Sequence, residues 1–289
     1  MKQPVFNGVS TALVTPFLNN EVNYPMLEQL LKRQIDSGIN SVVLAGTTGE
    51  ASTLSDLEKR ELITRAKNYV GNTCQIIAGT GTNSTEHAIH LSIDAEKAGA
   101  DALLIVSPYY NKGNADGLYR HFLAIAKSVD IPIILYNVPS RTGTDIPITV
   151  YKKLSTQPNI IGVKEASTDI TKIARIKSIC PNDFYIWSGN DDLAVPTISL
   201  GGKGVISVLA NLCPEETIIM TKAALDGDFD TAAELQCKLL PLIEALFSDV
   251  NPIPIKYAMQ CAGYDCGECR LPLGRLSLPN KQRIDSFFN

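Results

Sequence analysis

A lysine ends an apolar run near the middle of the chain. Lys164 directly follows residues 160–163, Ile-Ile-Gly-Val, a run that is typical of a parallel strand buried on both faces. Burial disfavours a charged ammonium, and an uncharged amine is what attack on a ketone carbonyl requires. We therefore predict that Lys164 forms an imine with a carbonyl substrate. The alternative is a structural lysine that pairs with a carboxylate such as Glu165.

A tyrosine ends the preceding apolar run, residues 131–136. If the two runs form neighbouring strands, the Tyr136 hydroxyl lies near the Lys164 amine and can move protons while the imine forms and collapses. By itself, a tyrosine at a strand end is more often a packing residue with a polar tip. Its pairing with Lys164 favours the catalytic interpretation.

A short polar loop, Gly-Thr-Thr-Gly-Glu at residues 46–50, follows another apolar run. Its glycines let backbone N–H groups approach a ligand, and the hydroxyls of Thr47 and Thr48 can bind a carboxylate near a helix N-terminus. This arrangement suits the carboxylate of a 2-oxo acid. The alternative is a plain turn into a helix that Ser55 caps.

An arginine follows the Tyr136 run in a Ser-Arg-Thr-Gly turn at residues 140–143. The guanidinium of Arg141 can hold a second carboxylate through two parallel hydrogen bonds. The alternative is an ordinary solvated loop arginine.

The order of elements indicates what positions these groups. Short β-rich runs alternate with segments of helical periodicity, which is the pattern of βαβ units. The predicted strands are residues 9–14, 41–45, 75–78, 102–106, 131–136, 160–164, 184–187 and 204–207. Eight such units predict an α/β fold, a (β/α)8 TIM barrel, whose reacting groups gather at the carboxyl ends of the strands.

Further helices are predicted after the eighth strand, over residues 214–226, 229–247 and 252–262. We expect residues 1–224 to form the barrel with its catalytic site, and residues 225–289 to form a C-terminal helical extension. A chain of 289 residues that is 45% hydrophobic can bury the core that such a domain needs.

Charge and composition favour a small-molecule substrate. The net charge is −4 with acids and bases interleaved, unlike the basic clusters that bind nucleic acid or anionic membranes. No run approaches the roughly 18 apolar residues of a membrane span, and we expect no leader before the first strand. An odd number of scattered cysteines, seven, favours reduced thiols. We expect a cytoplasmic protein.

A metal site is not expected. Cys261, Cys266 and Cys269 have metal-like spacing, but no nearby histidine completes a ligand set. The three histidines fall in helical segments and lack a third ligand. We therefore predict organic, lysine-based chemistry with no metal and no cofactor.

Several segments together resemble the pyruvate-dependent class I aldolase family, which includes N-acetylneuraminate lyase. They are 46–50 (GTTGE), 108–111 (PYYN), 136–143 (YNVPSRTG), 163–167 (VKEAS), 188–192 (SGNDD), 204–207 (GVIS) and 251–256 (NPIPIK). The resemblance covers essentially the whole chain. It implies that Lys164 forms the imine with pyruvate, and that Tyr136, Thr48 and Tyr110 form a proton relay. A neighbouring subunit would supply Tyr110.

The same resemblance implies how the substrates are held. Thr47 and Thr48 would bind the pyruvate carboxylate, with backbone contacts from Gly189 and Ile206. Arg141 is similar to the arginine that grips L-aspartate 4-semialdehyde in the lysine-biosynthesis branch of the family, and sugar-acid lyases generally lack it. The resemblance therefore favours condensation of pyruvate with that semialdehyde over cleavage of N-acetylneuraminate or a 2-keto-3-deoxy sugar acid.

A shared relay implies an oligomer, and the resemblance indicates a homotetramer built as a dimer of dimers. It also implies an L-lysine effector site, at Ala51, Ser52, Asp56, Lys59, Asn83, His87 and Tyr109. Lysine-sensitive bacterial relatives carry histidines and a glutamate where this chain has Asp56, Lys59 and His87. Because an acid for the effector's ammonium is missing, we expect weak or absent inhibition, although Asp56 or Glu86 could substitute.

Two other classes of protein stay open on these residues. A barrel that only binds a 2-oxo acid has no need of a desolvated amine, so Lys164 argues against it. A phosphosugar isomerase needs a phosphate loop after the seventh or eighth strand. The glycine-rich residues 201–204 precede the eighth strand and should lie at the opposite end of the barrel.

Overall fold

Ten strands form within residues 1–288, which a computed structural model of the chain describes. They are β1 (Gly8–Ala12), β2 (Phe17–Leu18), β3 (Glu21–Val22), β4 (Ser41–Leu44), β5 (Gln75–Gly79), β6 (Ala102–Val106), β7 (Ile133–Asn137), β8 (Ile160–Glu165), β9 (Tyr185–Ser188) and β10 (Gly204–Ser207). All but β2 and β3 pair in parallel and close into a barrel, in the order β1-β10-β9-β8-β7-β6-β5-β4. The predicted barrel is confirmed, and each predicted strand lies within two residues of the observed one.

The helices surround this barrel and extend beyond it. They are α1 (Tyr24–Asp36), α2 (Asp56–Val70), α3 (Thr85–Lys97), α4 (Ala115–Ala126), α5 (Pro139–Thr142), α6 (Ile148–Leu154), α7 (Ile170–Ile179), α8 (Ala194–Ser199), α9 (Pro214–Leu225), α10 (Phe229–Leu246), α11 (Ile253–Cys261) and α12 (Leu278–Asp285). The helix α9 packs on β1 and β10, α10 packs chiefly on α9 and also on α8, α11 and α12, and α11 packs on α12. The C-terminal helical extension is therefore present.

The helix α2 shows how local sequence sets the start of an element. Ser55 Oγ accepts a hydrogen bond from the Glu58 N–H, and the Glu58 carboxylate accepts one from the Ser55 N–H. This reciprocal pair satisfies two backbone donors at the helix start. The expected cap at Ser55 is present, and it lies beyond the 46–50 loop rather than within it.

The elements that were not predicted include the hairpin of β2 and β3, the helix α12 and the short helix α5, which lies where a turn was expected. The hairpin of β2 and β3 has only two residues in each strand, too few to give a periodic pattern. The helix α12 buries only Ile284, so its sequence carries little amphipathic signal.

The N-terminal segment closes the end of the barrel opposite to the strands' carboxyl ends. The Phe6 ring stacks on Trp187 with centroids 5.2 Å apart, and the Trp187 indole N–H donates to the Phe6 carbonyl. Both side chains belong to the cluster of buried residues that fills the barrel interior. Ligands therefore approach from the other end, where the polar loops lie.

Candidate active site

Lys164 and Tyr136 lie side by side in the barrel. They are paired residues on the neighbouring strands β8 and β7, and the Lys164 Nζ atom is 4.4 Å from the centre of the Tyr136 ring. Each side chain is only 6% exposed. The parallel register thus brings an amine and a phenol together at the carboxyl end of the strands.

Glu165 does not pair with Lys164, because successive side chains of a strand point to opposite faces. Its buried carboxylate accepts hydrogen bonds from Asn137 Nδ2 (2.8 Å) and the Tyr151 hydroxyl (3.2 Å), and lies 3.6 Å from Lys172 Nζ. Burial, together with this carboxylate, raises the pKa of the Tyr151 phenol well above its usual value, so Tyr151 remains a donor. The alternative interpretation, an ion pair of Lys164 with Glu165, is wrong.

Across residues 1–288, no carboxylate lies within ion-pairing distance of Lys164 Nζ. It lies beside the Tyr136 ring, and its charge acts on the buried Asp191 carboxylate, where it opposes the rise that burial causes in the pKa of that group. A Cβ atom at Gly189 would stand 3.0 Å from Lys164 Cε and 2.5 Å from Ala166 Cβ. Any side chain at position 189 would therefore displace the lysine stem.

Gly189 and Ile206 both border this part of the barrel. The Gly189 N–H already donates to the Glu165 carbonyl at 2.7 Å, so its own carbonyl is the backbone group left for a ligand. Ile206 is 1% exposed and packs in the same interior cluster as Tyr136.

The 46–50 loop is held from the C-terminal extension. The Thr48 hydroxyl oxygen, buried, accepts a hydrogen bond from Asn251 Nδ2 at 2.9 Å. Glu50 adopts a positive φ of 56° and buries its carboxylate against Lys256 Nζ at 2.7 Å. The Arg270 N–H donates to the other oxygen of Glu50 at 2.8 Å. The loop is thus fixed by residues more than 200 positions away in sequence.

Arg141 lies on the short helix α5 and is exposed at the rim of a cavity of about 390 Å³. The cavity is also lined by Thr47, Tyr136 and Asn251. One guanidinium nitrogen, Nη2, donates to the Asn251 carbonyl at 3.1 Å. The rest of the guanidinium makes no hydrogen bond to residues 1–288 and is available to a carboxylate.

Tyr110 stands apart from this cavity. Its side chain is 90% exposed, and its backbone has a φ of 71°, a left-handed conformation that is unusual for a tyrosine. The neighbouring Tyr109 lines the cavity instead. Within one chain, the structure does not bring Tyr110 to Lys164.

All seven residues of the expected effector site line the same cavity: Ala51, Ser52, Asp56, Lys59, Asn83, His87 and Tyr109. His87 Nε2 lies 2.9 and 3.1 Å from the two oxygens of Asp56. Burial lowers the pKa of Lys59, with Asp56 acting in the opposite direction. The acid of this group is therefore already engaged by basic neighbours.

The cysteines and histidines form no metal centre in the part of the chain that the structure describes. All seven cysteines are free thiols, and no group of three or more His, Cys, Asp or Glu side chains is arranged to hold an ion. Burial raises the pKa of Cys266 to about 12 and is also the main cause that raises that of Cys269 to about 12. None of the helices between residues 1 and 288 is long and apolar enough to cross a membrane.

The comparisons with known proteins agree with this geometry. The model of the dihydrodipicolinate synthetase family matches residues 5–288. The chain belongs to this family. A relative from Acetivibrio thermocellus, named 4-hydroxy-tetrahydrodipicolinate synthase, is 48% identical over 280 residues, which are 97% of this chain and 95% of the relative.

Solved structures of dihydrodipicolinate synthases have the same fold. The one from Aquifex aeolicus has a TM-score of 0.96 and 41% identity, covering 98% of this chain and 97% of its own. The one from Cyanidioschyzon merolae, described as having lysine bound, has a TM-score of 0.95 and 40% identity, covering 97% and 96%. The recognised resemblance to the pyruvate-dependent family is confirmed, and the chain is an enzyme of the lyase class.

Sequence reasoning assigned no role to Asn251 or to the Glu50–Lys256 pair. Both Asn251 and Lys256 lie in the 251–256 segment that carries part of the resemblance. A signal was present in the loop itself, because a glutamate that follows the two glycine-flanked threonines needs a cationic partner wherever the fold buries it. Which cation pairs with it depends on the tertiary fold.

Proposed function

We propose that this chain condenses pyruvate with L-aspartate 4-semialdehyde, as a 4-hydroxy-tetrahydrodipicolinate synthase. One observation carries the proposal: a buried lysine without a carboxylate partner faces a phenol at the carboxyl end of the barrel. Such an amine is suited to nucleophilic attack, since no carboxylate holds it in an ion pair.

The reaction begins at the keto carbon of pyruvate. The Lys164 amine attacks this carbon, and loss of water from the carbinolamine gives the imine. Tyr136, beside the amine, donates a proton to the departing hydroxyl and then takes protons back. Loss of a proton from the pyruvate methyl group gives an enamine, which is the carbon nucleophile.

The second substrate then reacts at its aldehyde. The enamine carbon forms a bond to the aldehyde carbon, and the aldehyde oxygen gains a proton to become a hydroxyl. The amine of the semialdehyde attacks the imine carbon, closes the ring and releases Lys164. Both halves of the reaction need a proton carrier next to the amine, a role we assign to Tyr136 with Thr48.

The two carboxylates are bound at different places in the cavity. We assign the pyruvate carboxylate to Thr47 and Thr48, with the backbone of Gly189 and Ile206 beside it. The free part of the Arg141 guanidinium suits the semialdehyde carboxylate, which it can grip with two parallel hydrogen bonds. An aliphatic sugar acid offers no comparable group at that rim.

A second copy of the chain completes the site in this proposal. Tyr110 is exposed and held in a left-handed conformation, which suits a side chain that enters the cavity of a neighbour. We propose a homotetramer, a dimer of dimers, in which each chain lends Tyr110 as the third member of the proton relay. Seven free thiols suit a reducing compartment, and we propose the cytoplasm.

The effector residues support weak regulation by L-lysine. An incoming ammonium would have to compete with His87 for the Asp56 carboxylate, and Lys59 adds a further like charge. We expect millimolar or weaker inhibition in a steady-state assay. Strong inhibition by sub-millimolar lysine would contradict this expectation, and the Asp56→Asn variant would then show whether Asp56 binds the effector.

Trapping of the imine tests the function directly. The protein is treated with borohydride in the presence of pyruvate, and the modified peptide is identified by mass spectrometry, with Lys164→Ala and a pyruvate-free sample as controls. We expect a single adduct on Lys164. An adduct on another lysine would overturn the mechanism, and turnover of N-acetylneuraminate in place of the semialdehyde would overturn the substrate assignment.

A further inference from the structure

Asn251 joins the two sides of the cavity. It lies in the turn just before α11 and is 6% exposed. Its side-chain Nδ2 donates to Thr48 Oγ1 at 2.9 Å, and its main-chain carbonyl accepts from Arg141 Nη2 at 3.1 Å. One residue of the C-terminal segment therefore contacts both a residue assigned to the pyruvate side and the residue assigned to the semialdehyde side.

The contact with Thr48 decides what that hydroxyl can do. A threonine hydroxyl has one O–H donor and two acceptor lone pairs. Asn251 occupies one lone pair, and within residues 1–288 the Thr48 hydroxyl has no other hydrogen-bond partner. One donor and one acceptor site are left. A hydroxyl that passes a proton between two phenols needs these two, because it accepts on one side and donates on the other.

The orientation of the amide matters for the same reason. Asn251 Oδ1 is buried and has no hydrogen-bond partner among the described residues. If the amide were turned over, Oδ1 would accept the Thr48 O–H and remove the only donor of that hydroxyl. The orientation that leaves Oδ1 without a partner is the one that keeps Thr48 able to donate.

We propose that Asn251 is a positioning residue that sets the hydrogen-bond polarity of Thr48 for proton transfer. The inference rests on the proposed function, in which Thr48 carries protons beside Lys164. The proposal separates two effects, because the side chain of Asn251 donates a hydrogen bond to Thr48 whereas its main-chain carbonyl accepts one from Arg141. A change of side chain should therefore alter proton transfer and leave semialdehyde binding in place.

The Asn251→Asp variant tests this polarity with little change of shape. A carboxylate only accepts hydrogen bonds, so it captures the Thr48 O–H. We expect kcat to fall on the order of 10²-fold. The KM for the semialdehyde should stay within about twofold, because the main-chain contact to Arg141 remains. A similar rise in KM would indicate a merely structural role and overturn the proposal.

The pH dependence of the same variant gives a second readout. Burial raises the pKa of a carboxyl group, and the protonated acid carries an O–H that can donate to Thr48 as the amide does. The ratio of variant to wild-type kcat should therefore rise about tenfold as the pH falls from about 8 to about 6. The Asn251→Ala variant, which has no group to protonate, is the matched control and should give a flat ratio.

The outcomes separate this inference from the proposed function. Borohydride trapping of pyruvate on wild-type Lys164 tests the function alone. If trapping succeeds and Asn251→Asp keeps full kcat, or its kcat ratio does not change with pH, the inference about Asn251 is wrong and the function stands. If Asn251→Asp does not fold, as thermal unfolding would show, Asn251→Ala is assayed instead. Asn251→Ala leaves the Thr48 hydroxyl with no partner to fix its direction, so its kcat should also fall, and an unchanged kcat would equally overturn the inference.

Discussion

Three lysines of this barrel are almost equally buried and yet have different surroundings. Lys256 is 4% exposed and lies 2.7 Å from the buried Glu50 carboxylate, and Lys172, also 4% exposed, pairs with Asp145. Lys164 is 6% exposed and meets only an aromatic ring at comparable range. Burial alone therefore does not distinguish the amine that we propose to react. The lack of a carboxylate within ion-pairing distance does.

The physical reason lies in the form that each site stabilises. A buried ion pair favours the ammonium, because removal of one partner leaves the other charge without compensation. Such a lysine holds loops in place, as Lys256 does for the 46–50 loop. A buried amine that no carboxylate holds in an ion pair is free to attack a carbonyl. The two kinds of lysine should respond differently to removal.

The largest effect is expected on activity at the unpaired lysine. Lys164→Ala should lower kcat by 10³-fold or more, on the order seen when a covalent nucleophile is lost. It should unfold at nearly the same temperature as the wild type, because no carboxylate loses its partner. A steady-state assay and a thermal unfolding curve measure both properties. Substantial remaining activity of Lys164→Ala would contradict the distinction between the unpaired lysine and the paired ones.

A paired lysine should show the opposite response. Lys256→Met leaves Glu50 buried without a cation, and we expect a loss of about 3–5 kcal/mol in the free energy of unfolding. Urea unfolding measures it, with Lys164→Met as the matched control. The double variant Glu50→Gln/Lys256→Met should recover part of the loss. Equal destabilisation by the two single lysine variants would contradict the distinction.

The arginines extend the comparison to the cavity rim. Arg141 has one hydrogen bond to a carbonyl and no carboxylate partner within residues 1–288, whereas Arg270 binds the Glu58 carboxylate with two nitrogens. Arg141→Leu should reduce kcat/KM for the semialdehyde by about 10- to 100-fold, as expected for a lost hydrogen bond to a charged group. The KM for pyruvate should change little. A selective effect on pyruvate would show that the two carboxylate sites are reversed.

The smallest effect is expected in the stability of the fold at acid pH, to which the pair of Arg270 and Glu58 contributes. The hydrogen bond from Arg270 is the main cause that lowers the pKa of Glu58 to about 2 from an ordinary value of 4.5. Because the folded-state pKa is depressed, this pair stabilises the fold above pH 4.5 and loses that contribution as the pH falls toward about 2. The difference in urea midpoint between wild type and Glu58→Gln should shrink over that interval. A constant difference would mean that the pair contributes nothing.

Much of this fold can be predicted from local patterns in the sequence. Strands buried on both faces form continuous apolar runs, which is why their bounds could be predicted within two residues from sequence. The position of Lys164 beside Tyr136 followed from the same pattern, since parallel strands that follow one another through a helix become neighbours.

The partners of the buried charges could not be predicted in this way. Glu165 was considered as the partner of Lys164, yet it pairs with Lys172 on the far side of the strand. Asn251 reaches Thr48 across 203 positions, and no local pattern indicates which loop a distant helix will contact. Tyr110 was expected to act in a neighbouring chain, and its exposure in a single chain leaves that expectation a prediction.

The stacked Phe6 and Trp187 rings close one end of the barrel, and this constrains the order in which the two reactants bind. Both reactants then enter from the end of the barrel where the carboxyl ends of the strands lie. In the proposed function, the keto acid binds at the buried Lys164 and the semialdehyde binds at Arg141, which lies exposed at the cavity rim. An aldehyde that arrived first would lie across this path, so we expect the keto acid to bind first and the ring-closed product to leave by the same route.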